Sequence, residues 1–182
     1  MHTTSTAPNA DIADSAPVNL TVCTFATDGN LNDVQATSAR FGVHLNVISL
    51  DSKNLEPHMG IFNKKLRAIL SVASELSPDA VMVAVDAFDV LIGRPIEDMY
   101  WSFREMMGRR NDFLLFNAEK NCYPDPDLEK AYPEIQSPWR YLNAGAFIGN
   151  AGAVKAALQP KLESITKNTD DQRLWTRCIW TT

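Results

Sequence analysis

The segment VAVDAFDVLI sets two carboxylates, Asp86 and Asp89, three residues apart directly after an apolar run. Acidic oxygens converging at the end of a buried strand suit a hard cation that keeps open sites for the oxygens of a diphosphate. The same spacing also suits a turn aspartate followed by a helix-capping one. A second acidic group, Asp170-Asp171 followed by Gln172, reads either as the start of a helix, where negative charge complements the dipole, or as side chains beside a ligand. Asn143 precedes the small-residue run Ala144-Gly145-Ala146, where a backbone can be approached closely or a helix packed against a sheet. An asparagine flanked by Leu142 and Ala144 needs partners if it is buried. Lys65 reads on its own as a solvated helical lysine, and a diphosphate nearby would give it another role. Thr24, Asn117 and Glu119 fall at the ends of apolar runs. His2, His44 and His58 have no metal-ligand spacing, which argues against zinc. Of the four tryptophans, only Trp139 lies on a proline-rich loop where it could stack on a sugar or base.

These side chains need a scaffold, and the pattern supplies an alternation of short apolar runs with helical periodicity, the grammar of an α/β protein. Strands are expected over Leu20 to Phe25, Val43 to Leu50, Ala80 to Val85, Phe113 to Asn117 and Tyr141 to Gly149. Helices are expected from Asn32 to Phe41, from Phe62 to Leu76, from Pro95 to Gly108, from Ala151 to Gln159 and from Asp170 to Ile179. The run AVMVAV is apolar at every position, as in a central parallel strand covered on both faces, and it puts Asp86 at a carboxyl end. Ligands of open α/β sheets bind beyond those ends. Four prolines fall in the stretch from Glu119 through Pro138, and a loop of that length is expected to act as a lid or a binding loop.

Length and composition narrow the options. At 182 residues, one domain with a modest tail is expected: a disordered leader over 1–17 and a folded unit over 18–182. A hydrophobic fraction of 45% can build a continuous core. The net charge of −5, with no basic run, argues against a nucleic-acid partner. No apolar run approaches the roughly 20 residues of a membrane span, and the leader lacks a signal-peptide pattern, so cytoplasmic residence is the default expectation. Cys23, Cys122 and Cys178 form no CxxC pair, and reduced thiols are expected.

Taken in order, VDAFDV, LLFNAEKNCYPD, YPEI, RYLNAGAFIGNAG and DDQRLWT resemble the glycosyltransferase domain of the procollagen lysyl hydroxylases and its stand-alone relatives. LTVCTFATDG and KKLRAIL are similar to the first strand-turn and the lysine-bearing helix of that family. The resemblance runs from about Leu20 to Thr176. It implies a GT-A fold with a Rossmann-like, mostly parallel sheet, a UDP-sugar donor, a hydroxyl acceptor on a protein or glycan, and Mn²⁺ or another divalent cation. Asp86 and Asp89 match the family's metal-binding motif. Thr24, Lys65, Asp86, Asn117, Glu119, Asn143 and Gly145 are the implied donor-binding residues, and Asp170, Asp171 and Gln172 the implied catalytic group. Tyr123 stands where the family has tryptophan, Ala144 where it has serine and Thr169 where a third aspartate often precedes DDQ. No histidine follows His58, so the family's later histidine ligand has no counterpart, and an incomplete domain is one expectation.

The leading expectation is therefore a metal-dependent transferase that moves glucose or galactose from a UDP-sugar to a hydroxyl. A non-catalytic module that binds a nucleotide sugar is the alternative. An Asp-nucleophile phosphohydrolase is a further one, although its pattern places the second aspartate two residues on, where this chain has three. GAFIGNAG lacks the GxGxxG spacing of a dinucleotide site.

Overall fold

Along the central strands, alternate side chains divide between two apolar layers. Cys23, Phe25, Met82 and Ala84 join one, and Val22, Ala26, Val81, Val83 and Val85 join the other. This is the period-2 alternation of a sheet buried on both faces. A computed structural model describes residues 19–27, 31–51, 60–110 and 112–180. The expected leader and the turn at Asp28 to Asn30 lie outside the described residues. The strands are β1 (Leu20–Ala26), β2 (Leu45–Ser49), β3 (Val81–Asp86), β4 (Leu114–Glu119) and β5 (Tyr141–Asn150). The helices are α1 (Asn32–Arg40), α2 (Ile61–Glu75), α3 (Ile96–Met107), α4 (Ala151–Leu158) and α5 (Asp171–Trp180). Each falls within a few residues of its expected bounds.

The sheet order is β2-β1-β3-β5-β4. Pairing is parallel from β2 through β1 to β3 and antiparallel on both sides of β5, so four strands point one way and β5 runs against them. Helices α2, α4 and α5 cover one face, with Leu66, Ile69, Val154, Leu158 and Trp175 fully enclosed among them. Helices α1 and α3 cover the other through Leu31, Val34, Phe103 and Met107. The α/β architecture with a mostly parallel sheet flanked by helices is thus the one the chain forms. None of the described helices is long and apolar enough to cross a membrane.

The reversal of β5 matters for the site. The other strands bring their carboxyl ends to one edge, and β5 brings its beginning there, with Asn143 and Gly145. Where β4 meets β5, Phe116 pairs with Phe147 but Asn117 pairs with Asn143, so Ala144, Gly145 and Ala146 bulge off the β4 ladder. The long loop, expected to act as a lid or a binding loop, is tied to the rest of the fold at several points. Arg173 binds the Asp125 carboxylate with Nε at 3.0 and 2.9 Å. The Tyr141 hydroxyl donates to Glu129 Oε1 at 2.8 Å, and Leu142 N donates to the Tyr132 hydroxyl at 3.4 Å.

Candidate active site at the strand ends

Lys65 stands one turn into α2 with its stem enclosed by the α2, β5 and α5 layer. Its ammonium donates to Asp86 Oδ1 at 2.5 Å and to Asp171 Oδ2 at 2.7 Å, with the Ala144 carbonyl at 3.5 Å. One cation thereby joins the end of β3, the start of α5 and the bulge of β5. Burial alone would lower the lysine pKa, but the Asp171 and Asp86 carboxylates outweigh it and hold the ammonium above its ordinary value. The Asp86 carboxyl is pushed up, first by burial and then by Asp171 and Asp89, against the opposing pull of Lys65. A single ammonium therefore faces more negative charge than it neutralises.

Asp86 and Asp171 line a cleft of about 350 Å³ together with Asp89, Asn117, Tyr123, Asn143, Gly145, Phe62 and Val90, while Lys65 lines a neighbouring chamber. Gly145 is required by close approach: a Cβ there would lie 2.9 Å from Asn143 Oδ1 and 3.3 Å from Asp86 Oδ2. Asn143, which lines the cleft, accepts from Gly145 N through Oδ1 at 2.9 Å. A second, more apolar chamber of about 340 Å³ adjoins the first, sharing Phe62, Asp86 and Asp89 and adding Phe25, Leu50 and Phe88. Asp86 and Asp89 stand between the two chambers.

Among the described residues no group of three or more His, Cys, Asp or Glu side chains is arranged to hold a metal ion. Asp86 and Asp89 do offer hard oxygen donors. Lys65 takes only one oxygen of Asp86, and Asp89 is exposed. Magnesium-type sites commonly use one or two carboxylates and leave the remaining positions to water and phosphate oxygens, so the pair fits a cation completed by its ligand.

Several expected site residues take other roles. Thr24 does not reach the cleft. It shares the strand face of Val22 and Ala26, opposite Asp86, and its fully buried hydroxyl donates to the Val85 carbonyl at 3.0 Å. Gln172 borders the cleft, but its amide is held by protein: Oε1 accepts from Ala144 N at 3.0 Å, and Nε2 donates to Glu119 Oε1 at 2.5 Å and to the Tyr123 carbonyl at 3.0 Å. Gln172 is thus a positioning residue, and Glu119 is its partner. The acidic pair divides. Asp170 caps α5 by accepting from Arg173 N at 2.9 Å, while Asp171 turns inward to Lys65. Phe62, Val90 and the Arg173 anchor of the long loop carried no sequence signal, because an apolar rim and an ion pair across 48 residues leave no local pattern.

Comparison with known proteins agrees with the ordered motifs. The family described as the PLOD GT domain matches residues 14–180. A procollagen-lysine,2-oxoglutarate 5-dioxygenase of Drosophila melanogaster is 28% identical over 86% of this chain and 21% of its own length. A multifunctional procollagen lysine hydroxylase and glycosyltransferase of Caenorhabditis elegans is 32% identical over 87% of this chain and 22% of its own length. The chain therefore spans about a fifth of the length of these relatives. Among solved structures, a glycosyltransferase involved in glycosylation of the major capsid of PBCV-1 aligns over 80% of this chain and 67% of that one, at 11% identity and a TM-score of 0.43.

Proposed function

The chain belongs to the family of PLOD-type glycosyltransferase domains, and we propose that it moves a hexose from a UDP-sugar to a hydroxyl acceptor with the help of a divalent cation at Asp86 and Asp89. The observation that carries this reading is the junction of Lys65, Asp86 and Asp171 at one end of an acidic cleft. A bare diphosphate beside those carboxylates would be repelled, so a donor of this class needs a cation between them. When bound, that cation supplies Lewis-acid neutralisation of charge on the departing diphosphate.

The chain's own groups supply orientation. Lys65 fixes Asp86 and Asp171 relative to each other, and a carboxylate locked in this way needs no reordering when the ligand arrives. Asn143 lines the cleft with a side-chain amide, the type of group that orients a sugar hydroxyl. Gln172 fixes the Ala144 backbone, and with it the gap at Gly145 through which a ligand can approach Asp86. The apolar chamber with Phe25, Phe62 and Phe88 suits the flat face of a nucleobase.

Calorimetry of UDP binding tests the proposal in its weakest link. Loss of a partner that merely supports a metal ligand commonly costs about 10- to 100-fold in metal affinity, so Asp89→Ala should weaken Mn²⁺-dependent UDP binding by at least that much. A chelator should have a comparable effect. Equal UDP affinity with Mn²⁺, with chelator and in Asp89→Ala would sink the metal-dependent donor site. If the donor binds, release of UDP from UDP-glucose or UDP-galactose in the presence of hydroxyl acceptors separates a transferase from a binding module.

A further inference from the structure

A third chamber, of about 190 Å³, adjoins the cleft through Val90 and Asn117 and shares no residue with the chamber of Phe25 and Phe88. The order along the strand ends is therefore apolar chamber, carboxylate pair, cleft, third chamber. Val83 and Val85 of β3, Ala146 of β5 and Ile96 and Met99 of α3 line it, with the segment 90–95. That segment is fixed, because Ile92 N donates to the Thr37 hydroxyl on α1 at 3.1 Å and the Ile92 side chain is buried. Leu91 is nevertheless 66% exposed, and a large aliphatic side chain in water forgoes the stabilisation of burial. Only two of the lining side chains are polar, Asn117 and Arg94. Among the described residues neither has a recorded hydrogen bond or ion pair from its side chain.

Resting on the transferase reading above, we propose that this chamber takes an apolar side chain flanking the hydroxyl-bearing residue of a polypeptide acceptor, so that transfer is selective for the sequence beside the hydroxyl. With the base in the chamber of Phe25 and Phe88 and the diphosphate at Asp86 and Asp89, the sugar lies in the cleft. What adjoins the sugar beyond Val90 and Asn117 is the acceptor. Size and polarity then pick the group. An apolar cavity of about 150 Å³ takes a benzene ring, so 190 Å³ suits one leucine, methionine or phenylalanine side chain. It falls short of the roughly 300 Å³ at which sites for larger ligands begin. A hexose there would lose water from hydroxyls that two polar side chains cannot replace. The Asn117 amide both donates and accepts, which matches the peptide unit that carries an apolar side chain and offers nothing to a fatty chain.

The test follows the methyl resonances of Ile92, Ile96 and Met99 while wild-type protein is titrated with Nα-acetyl-leucine methylamide, its polar near-isostere Nα-acetyl-asparagine methylamide, maltose or octanoate. The leucine amide should shift them to saturation and bind at least about tenfold more tightly than the asparagine amide, the ratio expected from burying one aliphatic side chain. UDP with Mn²⁺ should leave that affinity unchanged, because the two chambers share no residue, while the Mn²⁺ broadens the methyl signals of the bound amide. Leu91→Ser alters an exposed side chain and should weaken the leucine amide by about threefold or more. Met99→Trp fills the chamber and should abolish the shifts of Ile92 and Ile96. Sugar transfer to peptides randomised around a central serine, threonine or hydroxylysine should give products enriched in leucine, methionine or phenylalanine at one flanking position. No shift with the leucine amide, tighter binding of maltose or octanoate, displacement by UDP, or unchanged affinity in Leu91→Ser would overturn the pocket. So would methyl shifts that follow protein concentration alone, the mark of a second copy seated there. Products without enrichment, or no products, would overturn the acceptor role. Calorimetry with UDP reports on the donor site separately: leucine-amide binding without UDP binding removes the donor reading, and the converse removes the pocket alone.

Discussion

Strand β5 encloses polar side chains at both of its ends, on opposite terms. At its beginning, Asn143 and the bulge at Gly145 meet Asp86, Lys65 and Asp171, where each charge has a partner and spare oxygens and amide protons face a cleft. At its end, Asn150 is fully enclosed, and neither atom of its amide has a partner among the described residues. The backbone there is closed on itself, with Ala151 N donating to the Ala80 carbonyl at 2.8 Å and Gly152 N to the Pro78 carbonyl at 2.9 Å. An unsatisfied buried amide is a stability cost of about 1 to 3 kcal/mol. The difference teaches that spare hydrogen-bonding capacity serves recognition only where a ligand can reach it.

The largest effect expected from this contrast comes from removing the cation at the cleft end. Breaking a buried ion pair by deleting one partner costs about 3 to 5 kcal/mol. Because the Asp86 side chain is 36% exposed, Lys65→Met should fall at the lower end, about 3 kcal/mol by urea denaturation. The folded-state pKa of Lys65 is raised, so its contribution is complete below the ordinary lysine value of 10.5 and is lost as pH climbs through the folded value. The gap between wild type and Lys65→Met should therefore hold from neutral pH to that point and shrink above it. A gap that narrows near neutrality would show that Lys65 is not the counter-ion of this end.

Two glycines on β5 sharpen the contrast at intermediate cost. In Gly149→Ala the new Cβ would meet the tip of Leu114 at 2.3 Å and the Phe113 carbonyl at 3.2 Å. Overpacking of this kind costs about 1 to 3 kcal/mol. The melting temperature should drop while UDP affinity is preserved. Gly145→Ala instead drives a methyl toward Asn143 and Asp86, with a smaller loss of stability and a clear loss of UDP affinity. Equal loss of UDP affinity from both substitutions would erase the distinction between the ends.

The smallest effect belongs to Asn150→Leu. Replacing a buried polar group without partners by an apolar one of similar shape is near neutral or stabilising. A melting temperature unchanged or raised is expected, and a drop of several degrees would reveal a partner for that amide.

Much of this organisation was legible in the residues themselves. The AVMVAV run located the central strand and put Asp86 at its carboxyl end, and the helical periodicities located the five α-helices of the described residues. The direction of β5 was not legible, because an apolar strand pattern reads the same both ways. Asn143 reaches the cleft through that reversal. Thr24 was misplaced for a related reason: its position at a strand end was readable, but the face it occupies depends on parity relative to Asp86, which only the β1–β3 register fixes. Lys65 could be placed only by resemblance, since a lysine on an amphipathic helix is ordinarily solvated. Asp170 and Asp171 show how far neighbours can differ: one side chain closes a helix and the other reaches across the fold, and adjacency in sequence does not distinguish them.

The amide latch of Gln172 has a dynamic consequence. Because the bulge lifts Ala144 off the β4 ladder, the bond recorded for its N–H is the one to a side chain on α5. Its hydrogen-exchange rate therefore times the undocking of that helix and not the opening of the sheet. A single resonance thus reports how often the wall of the cleft comes apart while the strands behind it stay closed.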